Sequence, residues 1–303
     1  MNKEGVLELD SYRLLPYAVQ IPCYVCGGGN TYDAELCRHC FAPMALAHQA
    51  NSQKIQPRML ATIGPSGVGK TVYLGMLIDM LSRQSTGMQL LARGAFSITL
   101  QQTVIGALAR CEFPSKTPNE PDRWNWVHCQ VKAPEARKPV ELIMPDMAGE
   151  AILEEVDHPH TYPIIRTFLE KCAGILILVD AEKVHIGAHE QDYFTMKLLS
   201  YLCELDDDPR TGWSKRPVAL VFTKSDQCTE SFEDPSHFAQ TRTPGLWQHA
   251  QERFAKHQFF ATGVAGGTAF RLLPRAGRIR VPLRIEPHGI TEPFEWLVRS
   301  LGK

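Results

Sequence analysis

The chain is short of several things. It has no apolar run approaching the roughly 20 residues that a membrane-spanning helix needs, so no transmembrane segment is expected. It has almost no net charge, formally -1, so nothing global points to a nucleic-acid partner or a charged membrane surface. The start, Met1-Asn2-Lys3-Glu4-Gly5, lacks the basic-then-apolar pattern of a secretory leader. It has no even, regular cysteine framework: nine cysteines are irregularly spaced beyond the first four. That argues against stapling by disulfides and for a reducing, cytoplasmic setting. Internal repeats and low-complexity segments are missing too. What is present is 303 residues, 44% of them hydrophobic, enough for one large α/β domain and a small accessory unit.

The pattern divides the chain into an N-terminal arm (1–16), a cysteine-bearing module (17–48), a polar tether (49–57) and a large domain (58–303). The large domain alternates apolar runs with helical periodicity. Strands are expected at 59–63, 124–131, 140–144, Gly174–Asp180, 217–223 and 257–262. A helix with Leu74, Leu77, Ile78 and Leu81 on one face follows the first. Another carries Phe194, Leu198, Leu199 and Leu202, and a last one spans 291–301. The runs GILILVD and PVALVFT are apolar throughout, as central parallel strands covered on both faces require. The fold class is therefore α/β, a doubly wound, mainly parallel sheet with right-handed crossovers.

Three motifs fall at strand ends. Residues 64–71, GPSGVGKT, match G-x-x-x-x-G-K-[ST] in full, between a strand and a helix. Gly64, Ser66, Gly67, Val68 and Gly69, with Val72 in the helix start, bring backbone N–H groups to phosphate oxygens. The helix N-terminus adds partial positive charge. Lys70 is expected at the β- and γ-phosphates and the Thr71 hydroxyl on Mg²⁺. The second motif, Asp146-Met147-Ala148-Gly149, has the form D-x-x-G. Asp146 can hold Mg²⁺ through water, and Gly149 can offer its N–H to a γ-phosphate. The third, Thr223-Lys224-Ser225-Asp226, has the form [NT]-K-x-D. The Asp226 carboxylate can accept from guanine N1–H and N2–H₂, a donor pair adenine lacks. The Lys224 stem can lie along the purine. Ala261 and Thr262, before Gly263, suit a backbone contact to O6 or an ordinary turn.

In this order the motifs resemble the translation-factor and Ras-like GTPases over residues 58–303. More narrowly, GPSGVGKTVYLGML, PDMAGE and TKSD resemble the double-GTPase proteins of bacterial conflict systems, some of which carry an N-terminal zinc ribbon. The resemblance implies GTP and GDP as ligands, Mg²⁺-dependent hydrolysis, a switch cycle and protein partners in a multi-gene system. Two departures bear on catalysis. Ser66 stands where Ras-type proteins have glycine and crowds the approach of an arginine finger. Glu150 stands where they carry a water-orienting glutamine. It is either the water-positioning residue or an exposed loop residue whose charge repels the γ-phosphate. Thr117 is the candidate switch threonine; its competitor Thr103 sits in a helical pattern. Arg166 is a candidate transition-state arginine or a salt-bridge residue. A nucleotide-gated scaffold with little turnover is the alternative to a hydrolytic switch, and an ATP-dependent kinase would require TKSD to be accidental.

Cys23-x₂-Cys26 and Cys37-x₂-Cys40, ten residues apart, suit four thiolates around a tetrahedral Zn²⁺, with no open position for catalysis. His39 between them is expected to face solvent. Arg271, Arg275, Arg278, Arg280 and Arg284 crowd one segment, read as a solvated hairpin face or an acidic-partner surface. His158-Pro159-His160 is expected as a loop, and 227–245 as a long inserted loop for a partner.

Overall fold

In the computed structural model, the described residues are 20–53, 56–84, 87–206, 214–273 and 277–301. The expected arm, 1–16, lies outside them. The chain begins with a small hairpin, β1 (Gln20–Pro22) and β2 (Gly29–Thr31), then α1 (Met44–Gln53). The large domain follows as β3 (Arg58–Ile63), α2 (Lys70–Arg83), β4 (Gln89–Arg93), α3 (Gly94–Ala109), β5 (Asn125–Lys132) and β6 (Val140–Asp146). Next come α4 (Gly149–Asp157), α5 (Pro163–Lys171), β7 (Gly174–Asp180), α6 (Ala181–His185), α7 (Glu190–Leu205) and β8 (Val218–Thr223). The last elements are α8 (Thr229–Glu233), α9 (Pro235–Arg242), α10 (Pro244–Arg253), β9 (His257–Ala261), β10 (Gly263–Leu273), β11 (Gly277–His288) and α11 (Glu292–Leu301).

Seven strands form one sheet in the order β4-β5-β6-β3-β7-β8-β9. The five from β6 to β9 run parallel, while β4–β5 and β5–β6 pair antiparallel. Every residue of β7 and β8 is buried. Alternate side chains enter two cores, as the two-residue period of a strand demands. Ile175, Ile177 and Val179 join one with Phe168 and Phe194. Leu176 and Leu178 join the other with Leu74, Leu77 and Phe294. The crossover where β3 lies between β6 and β7 puts the loops after all three strands at one sheet edge, where ligands bind in such folds. Among the described residues, no helix is long and apolar enough to cross a membrane.

Two expectations need correction. Residues 49–53, expected in a polar tether, are the end of α1. Ala47 and Ala50 of that helix are buried, and Gln49 meets the buried His128 of β5 at 3.0 Å. Gln49 thus answers a polar partner within the protein. Residues 227–245, expected as a long loop, hold α8, α9 and the start of α10. Pro235 and Pro244 occupy first helical positions where a missing N–H costs nothing, and Asp234 Oδ1 caps α9 by accepting from His237 N at 2.9 Å. Sequence reading also missed β4, a short edge strand.

Candidate nucleotide and metal sites

The loop between β3 and α2 is shaped by glycine. Gly67 and Gly69 have φ of 74° and 102°, a region costly for other residues. At Gly64 a Cβ would lie 2.6 Å from the Leu178 carbonyl oxygen. Lys70 Nζ donates to Gly64 O at 2.8 Å and Pro65 O at 3.2 Å, arching back over the loop. Its burial pushes the ammonium down to about 8, against the opposing pull of Asp146 and Glu150. A cation held out of water at the N-terminus of α2 suits an anion.

Three residues from distant parts of the chain meet beside it. Asp146 Oδ2 accepts from Thr71 Oγ1 at 2.8 Å and from Thr117 Oγ1 at 3.0 Å, and the two hydroxyls are 3.1 Å apart. Asp146 ends β6 and is fully buried, yet its Oδ1 has no partner. Burial raises its carboxyl above the usual range, while Thr71, Lys70, Thr117 and the nearby Asn125 side chain work against that. A buried, unpartnered carboxylate oxygen beside two hydroxyls is a hard oxygen donor set of the kind Mg²⁺ takes, so the residues fit that ion. Thr103 lies within α3 and is exposed.

Gly149 opens α4 against the loop. A Cβ there would stand 2.4 Å from Pro65 C and from Ser66 N, so only glycine permits this approach. Glu150, next in α4, is exposed. Lys116 Nζ lies 3.7 Å away and Asn119 donates at 3.3 Å. A hydrogen bond with Ser66, then Asn119 and Lys116, holds its carboxyl below the usual value. Arg166 pairs with Glu170 at 2.8 Å and meets His160 at 3.2 Å, and it does not line the cleft.

At the other end, Thr223 Oγ1 donates to Val68 O at 2.8 Å, tying this segment to the phosphate loop. Lys224 has φ of 58° and its Nζ contacts Asp180 at the end of β7. Asp226 Oδ2 accepts from Gln227 Nε2 at 2.6 Å. Thr262 N donates to Phe222 O at 2.8 Å, and Ser225 N to Thr262 O at 3.1 Å.

A cleft of about 480 Å³ joins the two ends. It is lined by residues 66–72, Thr117, Gly149, Thr223, Lys224, Asp226 and Thr262, all anticipated. Gly64 and Ala261 lie behind it, packed on Leu178 and on Gly289. Phe113, Gln227, Thr268 and Arg280 also line it and were missed as site residues. The last two come from β10 and β11, which form a separate antiparallel hairpin. The arginine run belongs to that hairpin, largely as an exposed face: Arg271 pairs with Glu112 and Arg284 with Glu286. Arg280 instead turns inward to Glu182. The remaining candidate, Arg275, lies outside the described residues.

The four cysteines lie far from this cleft in sequence and form their own cluster, all Sγ within 4.8 Å of one another. Cys23 and Cys40 are 3.6 Å apart, Cys26 and Cys37 3.5 Å. Tetrahedral Zn²⁺ with four sulfurs needs about 3.8 Å between them. Gly28 N, His39 N and Asn30 Nδ2 point at Cys26 or Cys37 sulfurs at 3.3–3.5 Å, the outer partners that thiolate ligands take. The set fits a structural zinc ribbon, and the His39 ring is exposed. Val25, Met44 and Leu46 share one core with Trp126 and Phe168, so the module is packed on the domain.

The model of the Double-GTPase 1 family matches residues 61–198. That span holds the phosphate loop, Thr117 and residues 146–150, and stops before Asp226. No curated protein sequence matches the chain. Among solved structures, the chain is similar to the Arl6 BBS3 small GTPase of Trypanosoma brucei, with 12% identity and a TM-score of 0.43 over 81% of this chain and 98% of that one. It is similar to the putative nucleolar GTP-binding protein 1 of Plasmodium falciparum, with 12% identity and a TM-score of 0.39 over 81% and 87%. The GTPase-like domain of Saccharomyces cerevisiae Ski7 gives 14% identity and a TM-score of 0.43 over 82% and 50%. The fold is a mainly parallel α/β sheet with a glycine-rich loop between its central strand and the helix after it, beside a small cysteine module. The family match supports GTP binding of the GTPase type.

Proposed function

We propose that this chain is a cytoplasmic GTP-binding switch that hydrolyses GTP slowly with Mg²⁺, and that it works beside protein partners in a bacterial conflict system. One observation carries the switch: Thr71 of the phosphate loop, Thr117 of the segment before β5 and Asp146 of β6 converge on one carboxylate oxygen. Thr71, Thr117 and Asp146 would hold the ion, which neutralises charge on the phosphates when bound. Lys70 and the loop amides bind the β- and γ-phosphates, and Gly149 offers its backbone N–H at the γ end. Loss of that phosphate would free both Thr117 and α4. Glu150 stands where an attacking water is oriented. The resemblance in GPSGVGKTVYLGML, PDMAGE and TKSD, with the Double-GTPase 1 match, supports the conflict-system role. Cys23, Cys26, Cys37 and Cys40 would hold one structural Zn²⁺.

A second reading, a nucleotide-gated scaffold with little turnover, is favoured by one observation. Among the described residues lining the cleft, Arg280 is the only arginine, and it lies at the base end, bound to Glu182. Among the described residues lining the phosphate end, Lys70 and Lys116 are the only cations. Phosphate release with GTP against ATP, with and without a partner extract, separates the readings. Slow GTP-specific release that the extract accelerates is expected of the switch. GTP binding without release in either condition would leave the scaffold. Metal analysis of the purified chain is expected to give one zinc, lost when Cys37 is replaced by serine.

A further inference from the structure

The proposed guanine reader is not left to orient itself. Gln227 Nε2 donates to Asp226 Oδ2 at 2.6 Å. The other end of that amide, Oε1, accepts from Thr268 Oγ1 at 3.4 Å and from Arg280 Nη2 at 3.5 Å. Arg280 Nε donates to Thr268 Oγ1 at 3.0 Å. Both terminal nitrogens of Arg280 grip the Glu182 carboxylate, one of them at 2.8 Å. These partners fix the amide: only its nitrogen end can donate to a carboxylate, and only its oxygen end can accept from hydroxyl and guanidinium. The second oxygen of Asp226 is bounded as well. A Cβ at Gly263, the first residue of β10, would stand 2.7 Å from Asp226 Oδ1. Asp226, Gln227, Gly263, Thr268 and Arg280 all line the cleft.

We propose that Gln227, held by Thr268 and Arg280 of the β10–β11 hairpin, is a positioning residue for base recognition that sets the Asp226 carboxylate to receive both donors of guanine. The proposal rests on the reading of Asp226 as the guanine acceptor. A carboxylate oxygen can accept more than one hydrogen bond, so Gln227 need not leave when the base enters. A carboxylate free to turn meets one donor without difficulty. Meeting two at once requires a fixed plane, and fixing it at the moment of binding costs rotamer freedom. Gln227 supplies that plane in advance. The hairpin, remote in sequence from the TKSD segment, is thereby part of the base-reading apparatus.

The test compares GDP with IDP, whose hypoxanthine keeps N1–H and lacks the 2-amino group. Dissociation constants for GDP, IDP and ADP are measured by calorimetry on the full chain with Mg²⁺, for wild type, Gln227→Leu and Arg280→Ala. Wild type is expected to prefer GDP to IDP. In Gln227→Leu the GDP affinity should fall about tenfold, the worth of one well-placed hydrogen bond, while IDP stays within about twofold, so the preference collapses. Arg280→Ala should move the ratio the same way by a smaller factor, and it serves if Gln227→Leu does not fold. Equal losses for GDP and IDP would mean general damage to the fold and would overturn the proposal, as would an unchanged ratio. Wild type binding ADP as well as GDP would instead overturn the guanine reading of Asp226 itself.

Discussion

The two ends of the cleft are built on different principles. At the phosphate end the working groups are backbone amides, a lysine and two hydroxyls, and most come from one contiguous loop. Its shape depends on what side chains would obstruct: Gly64, Gly67, Gly69 and Gly149 sit where a Cβ would clash or the backbone turns left-handed. At the base end the working groups are side chains from three separate segments: Asp180 with Lys224, Glu182 with Arg280, and Asp226 with Gln227. The phosphate end is thus a feature of one loop, and the base end is a network. A network can be tuned by a remote element, and a loop is either intact or lost.

Substitutions at the two ends should therefore fail differently. The largest effect is expected at Lys70→Ala. Removing a buried cation from the β- and γ-phosphates should weaken every nucleotide at least about 100-fold, whatever its base. Equilibrium titration with GTP, GDP and ATP checks this, and unchanged binding would remove the phosphate-loop assignment. Asp226→Asn comes next and should change which base is held rather than whether phosphate is. GTP affinity should drop roughly 100-fold as a carboxylate acceptor is lost. XTP should gain, because the new amide can donate to its 2-oxo group. A uniform loss over both nucleotides would merge the two ends into one and break the distinction.

The same contrast explains what the sequence showed. The phosphate loop, D-x-x-G and TKSD are local strings whose spacing is fixed by a turn, so GPSGVGKT or TKSD can be read without a fold. Central strands were legible because burial on both faces leaves continuous apolar runs such as GILILVD. Thr117 was reachable only as a candidate; what distinguishes it from Thr103 is its contact with Asp146, which no local pattern encodes. Arg280 was hidden for the opposite reason. It lies in a run of arginines on an exposed hairpin, and only the pairing of Arg280 with Phe270 across the hairpin places it beside Thr268 and toward Glu182. Residues 227–245, expected as a loop, instead hold short helices, two of which Pro235 and Pro244 open at the first turn.

Smaller effects divide rate from affinity at the phosphate end. Glu150 is exposed and tied to Lys116, Asn119 and Ser66, which hold its carboxyl low. A lower value makes it a weaker base, so its contribution is better assigned to orienting water than to taking a proton. Glu150→Ala should lower GTP hydrolysis about tenfold and leave GTP affinity nearly intact. Single-turnover phosphate release with a parallel titration checks both parts. A wild-type rate in the mutant would place the water-positioning role elsewhere.

The smallest expected effect is a pH dependence confined to the phosphate end. Burial pushes Lys70 down to about 8 in the free protein. The charged form is the one that attracts phosphate, and bound phosphate raises the lysine again by opposite charge. As pH rises through 8, a growing share of the free protein must take up a proton before it binds. Affinity should therefore be flat between pH 6.5 and 7 and fall about fourfold from pH 7 to 8.5, the loss of protonated fraction for a group near 8. Calorimetry in two buffers of different ionisation heat should show proton uptake on binding at pH 8.5 and almost none at pH 6.5. The slope should be the same for GDP and IDP, because Lys70 does not sense the base. A flat profile to pH 8.5 would mean that Lys70 stays charged despite its burial. A slope differing between the two bases would mean that the network around Asp226 reaches the phosphate loop, through the Thr223 contact to Val68, more strongly than two separately built ends allow.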